Sequence, residues 1–99
     1  TGAAGTPESY TLSEAYPNPF NPETTIEFAV PSDVLVKLDV YNSVGQQVAS
    51  LVNDELTAGS YKTTWDARDE TGEQVSTGVY FYRMQAGDFT DTRTMTLLK

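Results

Sequence analysis

Apolar and polar residues alternate with a period of two along several stretches of this chain, and this alternation predicts β-strands. Residues 24–30 and 34–41 are the clearest cases, because Ile26, Phe28 and Val30 alternate with Thr25, Glu27 and Ala29, and Val36, Leu38 and Val40 alternate with Lys37 and Asp39. No stretch has a helical period long enough to compete. The predicted core positions of these two strands are Ile26, Phe28, Val30, Val36, Leu38 and Val40.

The segment over residues 65–84 organises the rest of the chain, since an incoming strand at 61–65 passes through an acidic loop into an outgoing strand. The form is that of a hairpin. Residues 79–84 are too rich in β-branched and aromatic side chains to be anything but a strand. Its predicted core face consists of Tyr80, Tyr82 and Met84. Trp65, the only tryptophan, can bury about 200 Å² and is the predicted core anchor.

Two other stretches predict less regular strands. Residues 10–12 could form a short first strand. Over residues 46–52, Val48 and Leu51 lie three positions apart, which favours a bulge or a short edge strand over a regular ladder. Residues 53–59 are then predicted to be a polar connection.

The last strand is predicted over residues 89–98, after a turn at Gly87 and Asp88. Its threonines share one face, and Met95 and Leu97 lie on the other, so core contact is expected only over the second half. Counted together, about seven short strands with turn signals at this spacing predict an all-β protein, an antiparallel β-sandwich.

Residues 16–22, YPNPFNP, contain three prolines. Each fixes its own φ and biases its predecessor towards extended conformations, so the segment is predicted to be a rigid, non-helical crossing. We expect Tyr16 and Phe20 to close one end of the core, and Asn18 and Asn21 to bond to nearby backbone. A proline-rich ligand is the alternative, but it would need exposed prolines.

Composition limits the chemistry available to these 99 residues, which suffice for one domain with a modest core. The chain has no cysteine, which excludes disulfides, a thiol nucleophile and a thiolate metal site. It has no histidine either, which removes the commonest general base and zinc ligand. We therefore expect no enzyme activity.

The formal net charge of −8 comes from 14 acidic and 6 basic residues. Such a charge repels phosphate backbones and anionic lipid, so neither nucleic acid nor a membrane surface is a predicted partner. No run approaches the ~18 apolar residues of a membrane span. The N-terminus lacks a signal pattern, so an export signal is expected only upstream of these residues.

One loop gathers acidic residues that could hold a hard cation, because such ions prefer several oxygens from one loop. The candidate calcium ligands are Asp66, Asp69, Glu70 and Glu73. Their spacing lacks the D-x-[DN]-x-[DN]-G order of an EF-hand. The alternative is a capped, solvated turn, and no other cofactor is predicted.

Eleven percent of the residues are aromatic, which raises the question of a sugar-binding platform. Only Tyr10, Tyr41 and Phe81 are placed for exposure on the strand pattern. A carbohydrate-binding accessory module of a secreted glycoside hydrolase therefore stays an alternative with little support.

Four motifs follow one another in order beyond Ser9: YPNPFNPETTIEF at 16–28, VKLDVYNSVGQQVASL at 36–51, AGSYKTTWDARDETGEQVSTGVYFYRM at 58–84 and TMTLLK at 94–99. Together they resemble the type A C-terminal sorting domain of type IX secretion cargo. That family is closely akin to the immunoglobulin-like domain of the flagellar hook-capping protein. The residues of these motifs to which the resemblance gives a structural role are Tyr16, Pro17, Asn18, Pro19, Phe20, Asn21, Pro22, Gly45, Gly59, Trp65, Asp66, Gly72, Gly78, Tyr80 and Tyr82.

Two positions depart from the family's pattern. Ala67 stands where the family usually has glycine, which predicts a slightly different backbone angle in this turn. Gln47 stands where arginine or lysine is common, which bears on surface recognition. Neither position belongs to the core pattern.

The resemblance implies an immunoglobulin-like or fibronectin-III-like sandwich over residues 10–99, a non-catalytic and monomeric module. The small, polar residues 1–9 predict a linker to an upstream cargo in the same chain. In that family an outer-membrane translocon of certain Gram-negative bacteria recognises the module, and in some members a sortase-like protease removes it. The protein would be exported to the cell surface or beyond. A structural or assembly domain like that of the hook cap is the alternative.

Recognition by such machinery requires a surface that a receptor can contact. Residues 89–99 are the candidate, because an edge strand presents unpaired backbone groups that a partner could complete. The candidate recognition residues are Met95, Thr96, Leu97, Leu98 and Lys99. The alternative is that this strand only closes the sandwich.

Overall fold

Two antiparallel sheets make up the structure, a computed structural model that describes residues 8–98. The seven strands are β1 (Thr11–Leu12), β2 (Thr24–Val30), β3 (Val34–Tyr41), β4 (Gln47–Leu56), β5 (Gly59–Trp65), β6 (Gly78–Ala86) and β7 (Phe89–Leu97). One sheet has the order β1-β2-β5 and the other the order β4-β3-β6-β7. The predicted all-β sandwich is confirmed.

Within residues 8–98 no helix is long and apolar enough to cross a membrane. The predicted linker lies mostly outside the described residues, which include only Glu8 and Ser9 of it, both exposed. Lys99 also lies outside them.

The core lies between the two sheets, where the alternating strands meet. All six predicted core positions of β2 and β3 are at most 3% exposed, and the predicted face of β6 is buried as well. Strand β7 follows the prediction, with Met95 and Leu97 buried and Asp91 and Arg93 half-buried on the same face. The turn after β3 places Gly45 at φ +88°, a left-handed backbone angle that glycine adopts without steric cost.

Trp65 is the anchor that the sequence predicts, and it is 2% exposed. Its ring lies 5.7 Å from that of Phe20 and 5.3 Å from that of Tyr80, the latter in an edge-to-face arrangement. The indole N–H donates a 2.9 Å hydrogen bond to the carbonyl oxygen of Arg68. The side chain of Trp65 therefore contacts both sheets, the loop that follows β5 and the proline segment, which consists of residues 16–22.

The predicted hairpin over residues 65–84 is wrong. Strand β5 pairs with β2 in one sheet, whereas β6 pairs with β3 and β7 in the other. The loop between β5 and β6 therefore crosses from sheet to sheet. The Tyr80 hydroxyl donates to the carbonyl oxygen of Ser76 four residues upstream, which is the tyrosine corner of immunoglobulin-like sandwiches.

Strand β4 is longer than predicted, so the polar connection proposed for residues 53–59 is reduced to residues 57 and 58. Residues 53–56 continue the ladder with β3, up to the pair of Val34 and Leu56. Asn53, Asp54 and Glu55 are polar because both faces of this edge strand are exposed there. The predicted bulge is confirmed, since the register shifts leave Val48 and Leu51 without opposite partners.

The strand register divides the sandwich into two ends. The proximal pole, where Tyr10 lies, carries the β4–β5 and β6–β7 turns, as the pairs Val30–Gly59 and Ala86–Phe89 show. The distal pole carries residues 15–23, the β3–β4 turn, the β5–β6 loop and the end of β7. The longest dimension of the domain is 41 Å.

Ala67 provides a test of backbone strain, because it combines a φ of +63° with complete burial. We predict that Ala67→Gly changes the free energy of unfolding by less than about 1 kcal/mol. Glycine relieves the strain of the left-handed conformation, which stabilises the fold. This gain offsets the loss of a buried methyl group and the greater conformational entropy of the unfolded chain, both of which destabilise it. Ala67→Val should destabilise by more than about 2 kcal/mol, because a β-branched residue resists positive φ and overfills the core. Urea unfolding of the three proteins measures both effects, and equal losses for the two variants would contradict the prediction.

Candidate functional site

The proline segment runs along the outer edge of β7 and pairs with it. The Phe20 N–H donates to the Thr96 carbonyl oxygen at 2.9 Å, and the Leu98 N–H donates to the Phe20 carbonyl oxygen at the same distance. Phe20 and Leu97 thus form a parallel bridge, although they lie far apart in the sequence. Residues 18–20 act as a short additional strand beside β7.

Asn18 extends this pairing through its side chain. Its Oδ1 atom accepts from the Thr96 N–H at 2.9 Å, and its Nδ2 atom donates to the Thr94 carbonyl oxygen at 3.5 Å. Prolines at 17 and 19 have no N–H to donate, so the Asn18 amide takes the place of a peptide group. Asn18 was expected to bond to nearby backbone as a turn former, and this is wrong, because its side chain pairs with β7, 76 and 78 residues away in the sequence.

This pairing changes what β7 can offer to a receptor. The expectation of an unpaired edge is wrong over residues 94–98, because the proline segment occupies these backbone groups. Met95 and Leu97 are fully buried, so in the folded domain they hold the strand in place. Of the described recognition candidates, Leu98 at 47% exposure is the most accessible.

The two aromatic residues of the proline segment have opposite environments. Phe20 is 2% exposed and closes the core, as predicted. The prediction that Tyr16 also closes the core is wrong, because the residue is 78% exposed. A backbone bridge between Tyr16 and Thr25 places their side chains on the same side of β2, opposite to the buried Ile26. The segment is further fixed by the Thr24 hydroxyl, which donates to the Pro17 carbonyl oxygen at 2.8 Å.

The acidic loop is organised by Asp69. Its Oδ1 atom accepts hydrogen bonds from the Thr71 hydroxyl at 2.6 Å, the Thr71 N–H at 2.9 Å and the Glu73 N–H at 3.1 Å. These bonds, the Thr71 hydroxyl first and the Glu73 N–H second, lower the pKa of Asp69 from its ordinary value of 3.8. This geometry matches the capped turn that was the alternative to calcium.

The other three candidate ligands have separate contacts. Asp66 lies 3.6 Å from the Arg68 guanidinium, and a Glu70 carboxylate oxygen accepts from the Gln47 amide at 3.2 Å. Among residues 8–98 no three acidic side chains come together in a group that could hold a metal ion. Calcium binding at this loop therefore stays a prediction that the arrangement of carboxylates does not support.

The three aromatic residues expected at the surface do not form one platform. Tyr10 stacks on Phe89 at 5.3 Å at the proximal pole, while Tyr41 and Phe81 are cross-strand partners near the distal pole. All three are half-buried. The Tyr41 hydroxyl accepts a 2.8 Å hydrogen bond from Arg83, whose guanidinium lies 4.9 Å from the ring centroid. A stacking surface for sugars is therefore not evident from this arrangement.

Comparison of the sequence with family models gives a match over residues 18–88, to the FlgD Ig-like domain. The chain belongs to the FlgD Ig-like domain family. This family is defined by an immunoglobulin-like fold of a non-catalytic class, and the two sheets and tyrosine corner described above agree with it. No curated protein matches the sequence significantly.

Solved structures extend the similarity of fold beyond the family. Latent PorU of Porphyromonas gingivalis superposes with a TM-score of 0.72 at 19% identity, covering 90% of this chain and 9% of PorU. PorZ, an essential surface component of the type IX secretion system of the same bacterium, gives 0.57 at 16% identity, covering 91% and 11%. The DNA glycosylase AlkC of Pseudomonas fluorescens, bound to abasic-site DNA, gives 0.52 at 14% identity, covering 92% and 31%. The chain thus spans a small part of each of these proteins.

The contribution of Asn18 to stability can be measured against a matched residue. Asn18→Ala removes two hydrogen bonds to β7 and should lower the free energy of unfolding by about 1 kcal/mol. Asn21→Ala is the control, because Asn21 is also exposed and also precedes a proline, and its loss should stay within about 0.5 kcal/mol. Urea unfolding compares the two, and a larger loss for Asn21→Ala would overturn the role given to Asn18.

The lowered pKa of Asp69 predicts a pH dependence. A carboxyl whose pKa is depressed in the folded state contributes stability above its unfolded pKa, and this contribution disappears as pH falls through the folded pKa. Wild type should therefore exceed Asp69→Asn in stability by a constant amount above about pH 5, and the difference should shrink below about pH 4. Thermal unfolding at pH values from above about 5 to well below about 4 measures the difference, and a gap that widens in acid would contradict the assignment.

Proposed function

We propose that this domain is a non-catalytic sorting module that directs an attached cargo protein across the outer membrane through the type IX secretion machinery. Two kinds of observation support the proposal. The chain belongs to an immunoglobulin-like family, and its sequence motifs resemble those of the type A sorting domains. Two structures of similar fold, PorU and PorZ, come from the bacterium in which PorZ serves that system.

One observation carries the proposal: motifs far apart in the sequence converge on the distal pole. The YPNPFNP segment, the loop after Trp65 and the end of β7 meet there through hydrogen bonds and ring contacts. Tyr10 lies at the opposite pole, so a cargo joined upstream would emerge away from this surface. A tag must present its recognition surface away from the protein that carries it, and the position of Tyr10 supports the proposal in this respect.

The proposal implies export of the cargo and a protein partner at the outer membrane. The domain would act as a monomer, with the cargo at its proximal pole and the secretion machinery at its distal pole. The charge of −8 agrees with a surface that avoids nucleic acid and anionic lipid during passage.

A structural or assembly role is the second candidate, and the family match favours it directly, because the family takes its name from FlgD. In that case the sandwich would pack against other subunits of a surface assembly. The two roles differ in what they require, since an assembly domain needs its subunits whereas a sorting domain needs only the secretion machinery.

The test is to fuse residues 1–99 behind a reporter enzyme that carries a signal peptide, and to express the fusion in Porphyromonas gingivalis. We expect active reporter in the medium or on the cell surface, with the reporter alone retained in the periplasm. Immunoblots of the three fractions measure the distribution.

Two controls make the result specific. A strain that lacks a working type IX system should retain the fusion in the periplasm. A fusion that carries Trp65→Ala should be degraded or retained, because truncation of a buried aromatic residue costs about 3–5 kcal/mol in a small domain. Equal retention of the intact fusion and the bare reporter would refute the sorting role.

A further inference from the structure

An apolar surface lies on the outer side of the four-stranded sheet at its distal end. Tyr80, Tyr82 and Met84 face the core from β6, so Val79 and Phe81 face outward, and Leu98 follows the buried Leu97 of β7 on the outer side. The distal apolar patch consists of Tyr41, Val44, Val79, Phe81 and Leu98.

Exposure marks this patch as unusual for the domain. The large apolar side chains with high exposure in the described chain are Tyr16, Leu35, Val44, Val79 and Leu98. Three of these five belong to the patch, which Tyr41 and Phe81 join as a half-buried cross-strand pair. Clustered exposed apolar side chains, unlike scattered ones, mark a surface that another molecule covers.

Charge indicates the kind of molecule. None of the five patch residues is charged, in a chain with a net charge of −8. Arg83 borders the patch, and a depression of about 330 Å³ lies between its side chain, the rings of Tyr41 and Phe81, and Thr92. Asp39 is the cross-strand partner of Arg83, yet within residues 8–98 Arg83 forms no salt bridge. A guanidinium beside an apolar surface is complementary to a partner carboxylate.

We propose that the distal apolar patch is the surface by which the outer-membrane secretion machinery holds this domain. The partner presents an apolar protein surface with a carboxylate placed opposite Arg83. This inference rests on the proposed sorting function and names the contact surface for it.

Two other occupants fit the patch less well. A second copy of this chain would bring together two domains of charge −8. Around a two-fold axis through the patch it would also bring together two copies of Arg83, which forms no salt bridge within residues 8–98. A polysaccharide would need polar groups for its hydroxyls, whereas Val44, Val79 and Leu98 offer aliphatic surface. An apolar protein surface is complementary to these side chains.

The experiment uses the reporter fusion and compares residues of matched exposure on one face. Val79→Glu and Leu98→Glu place a charge in the patch, at residues 45% and 47% exposed. Leu35→Glu is the control, because Leu35 is 46% exposed and lies on the outer face of the same sheet at the proximal pole. We expect each patch variant to lower extracellular reporter about tenfold, as loss of one interface contact does. The control should stay within about twofold of wild type.

Arg83 supplies a second, independent readout. Arg83→Glu should lower secretion more than Arg83→Gln, because the first adds repulsion against the partner carboxylate and the second only removes an attraction. Equal secretion of both variants and wild type would remove the carboxylate from the proposal. Thermal unfolding of each purified domain shows whether it is folded, and Val79→Ser replaces Val79→Glu if the latter is not.

The outcomes separate this inference from the sorting function itself. If the fusion without residues 8–98 is still secreted, the sorting function fails. If that deletion blocks secretion while Val79→Glu and Leu98→Glu do not, the patch proposal alone fails. Equal losses for Leu35→Glu and the patch variants would also overturn it. Two further results would overturn the patch proposal. The first is that wild type forms a dimer that Val79→Glu abolishes while secretion continues. The second is that wild type is retained on a polysaccharide, that Val79→Glu abolishes this retention, and that secretion again continues.

Discussion

The contacts of Trp65 are the constraint on which the rest of this structure depends. The residue ends the last strand of one sheet, stacks edge-to-face on Tyr80 of the other and lies beside Phe20 of the proline segment. Its indole N–H also fixes the start of the loop through the Arg68 carbonyl. A domain without disulfides needs such a centre, because a small core leaves only a few kcal/mol of net stability.

The proline segment covers the exposed backbone groups at the edge of β7. An exposed edge strand offers backbone groups to any other strand, which invites aggregation. Here a rigid segment with few N–H groups of its own lies along β7, and the Asn18 amide supplies the pairing that prolines cannot. Phe20 enters the core beneath Trp65 at the same point. Edge protection and core closure are therefore coupled in one short stretch, which explains why three prolines are accommodated there.

Sequence periodicity predicted the elements well and their partners poorly. The alternation of β2, β3 and β6 is local, so it identified the strands and their buried faces. Which sheet each strand joins is a long-range property, and the acidic loop after Trp65 has the composition of a hairpin turn although it crosses between sheets. The end of β4 was missed because an edge strand does not need alternation.

Sequence motifs and local turn rules identified which segments form the candidate site, but they did not predict the contacts between those segments. The capped, solvated turn that was the alternative to calcium in the acidic loop is the one that Asp69 forms. The role of Asn18 depends on a strand 76 residues away, which no local rule contains. The distal apolar patch was predicted only in part, because the strand pattern placed Tyr41 and Phe81 at the surface but could not bring them together with Val44, Val79 and Leu98.

Fold alone does not determine what this domain does. The same sandwich is part of PorU and PorZ and of a glycosylase bound to abasic-site DNA, at sequence identities under 20%. The net charge of −8, which repels a phosphate backbone, is the basis for the prediction that nucleic acid is not a partner of this domain. The net negative charge of the domain increases the specificity of binding at an uncharged patch, because repulsion disfavours polyanions and further copies of the domain. A partner with a complementary apolar face can still bind, and specificity then comes from the surroundings of the patch as much as from the patch itself.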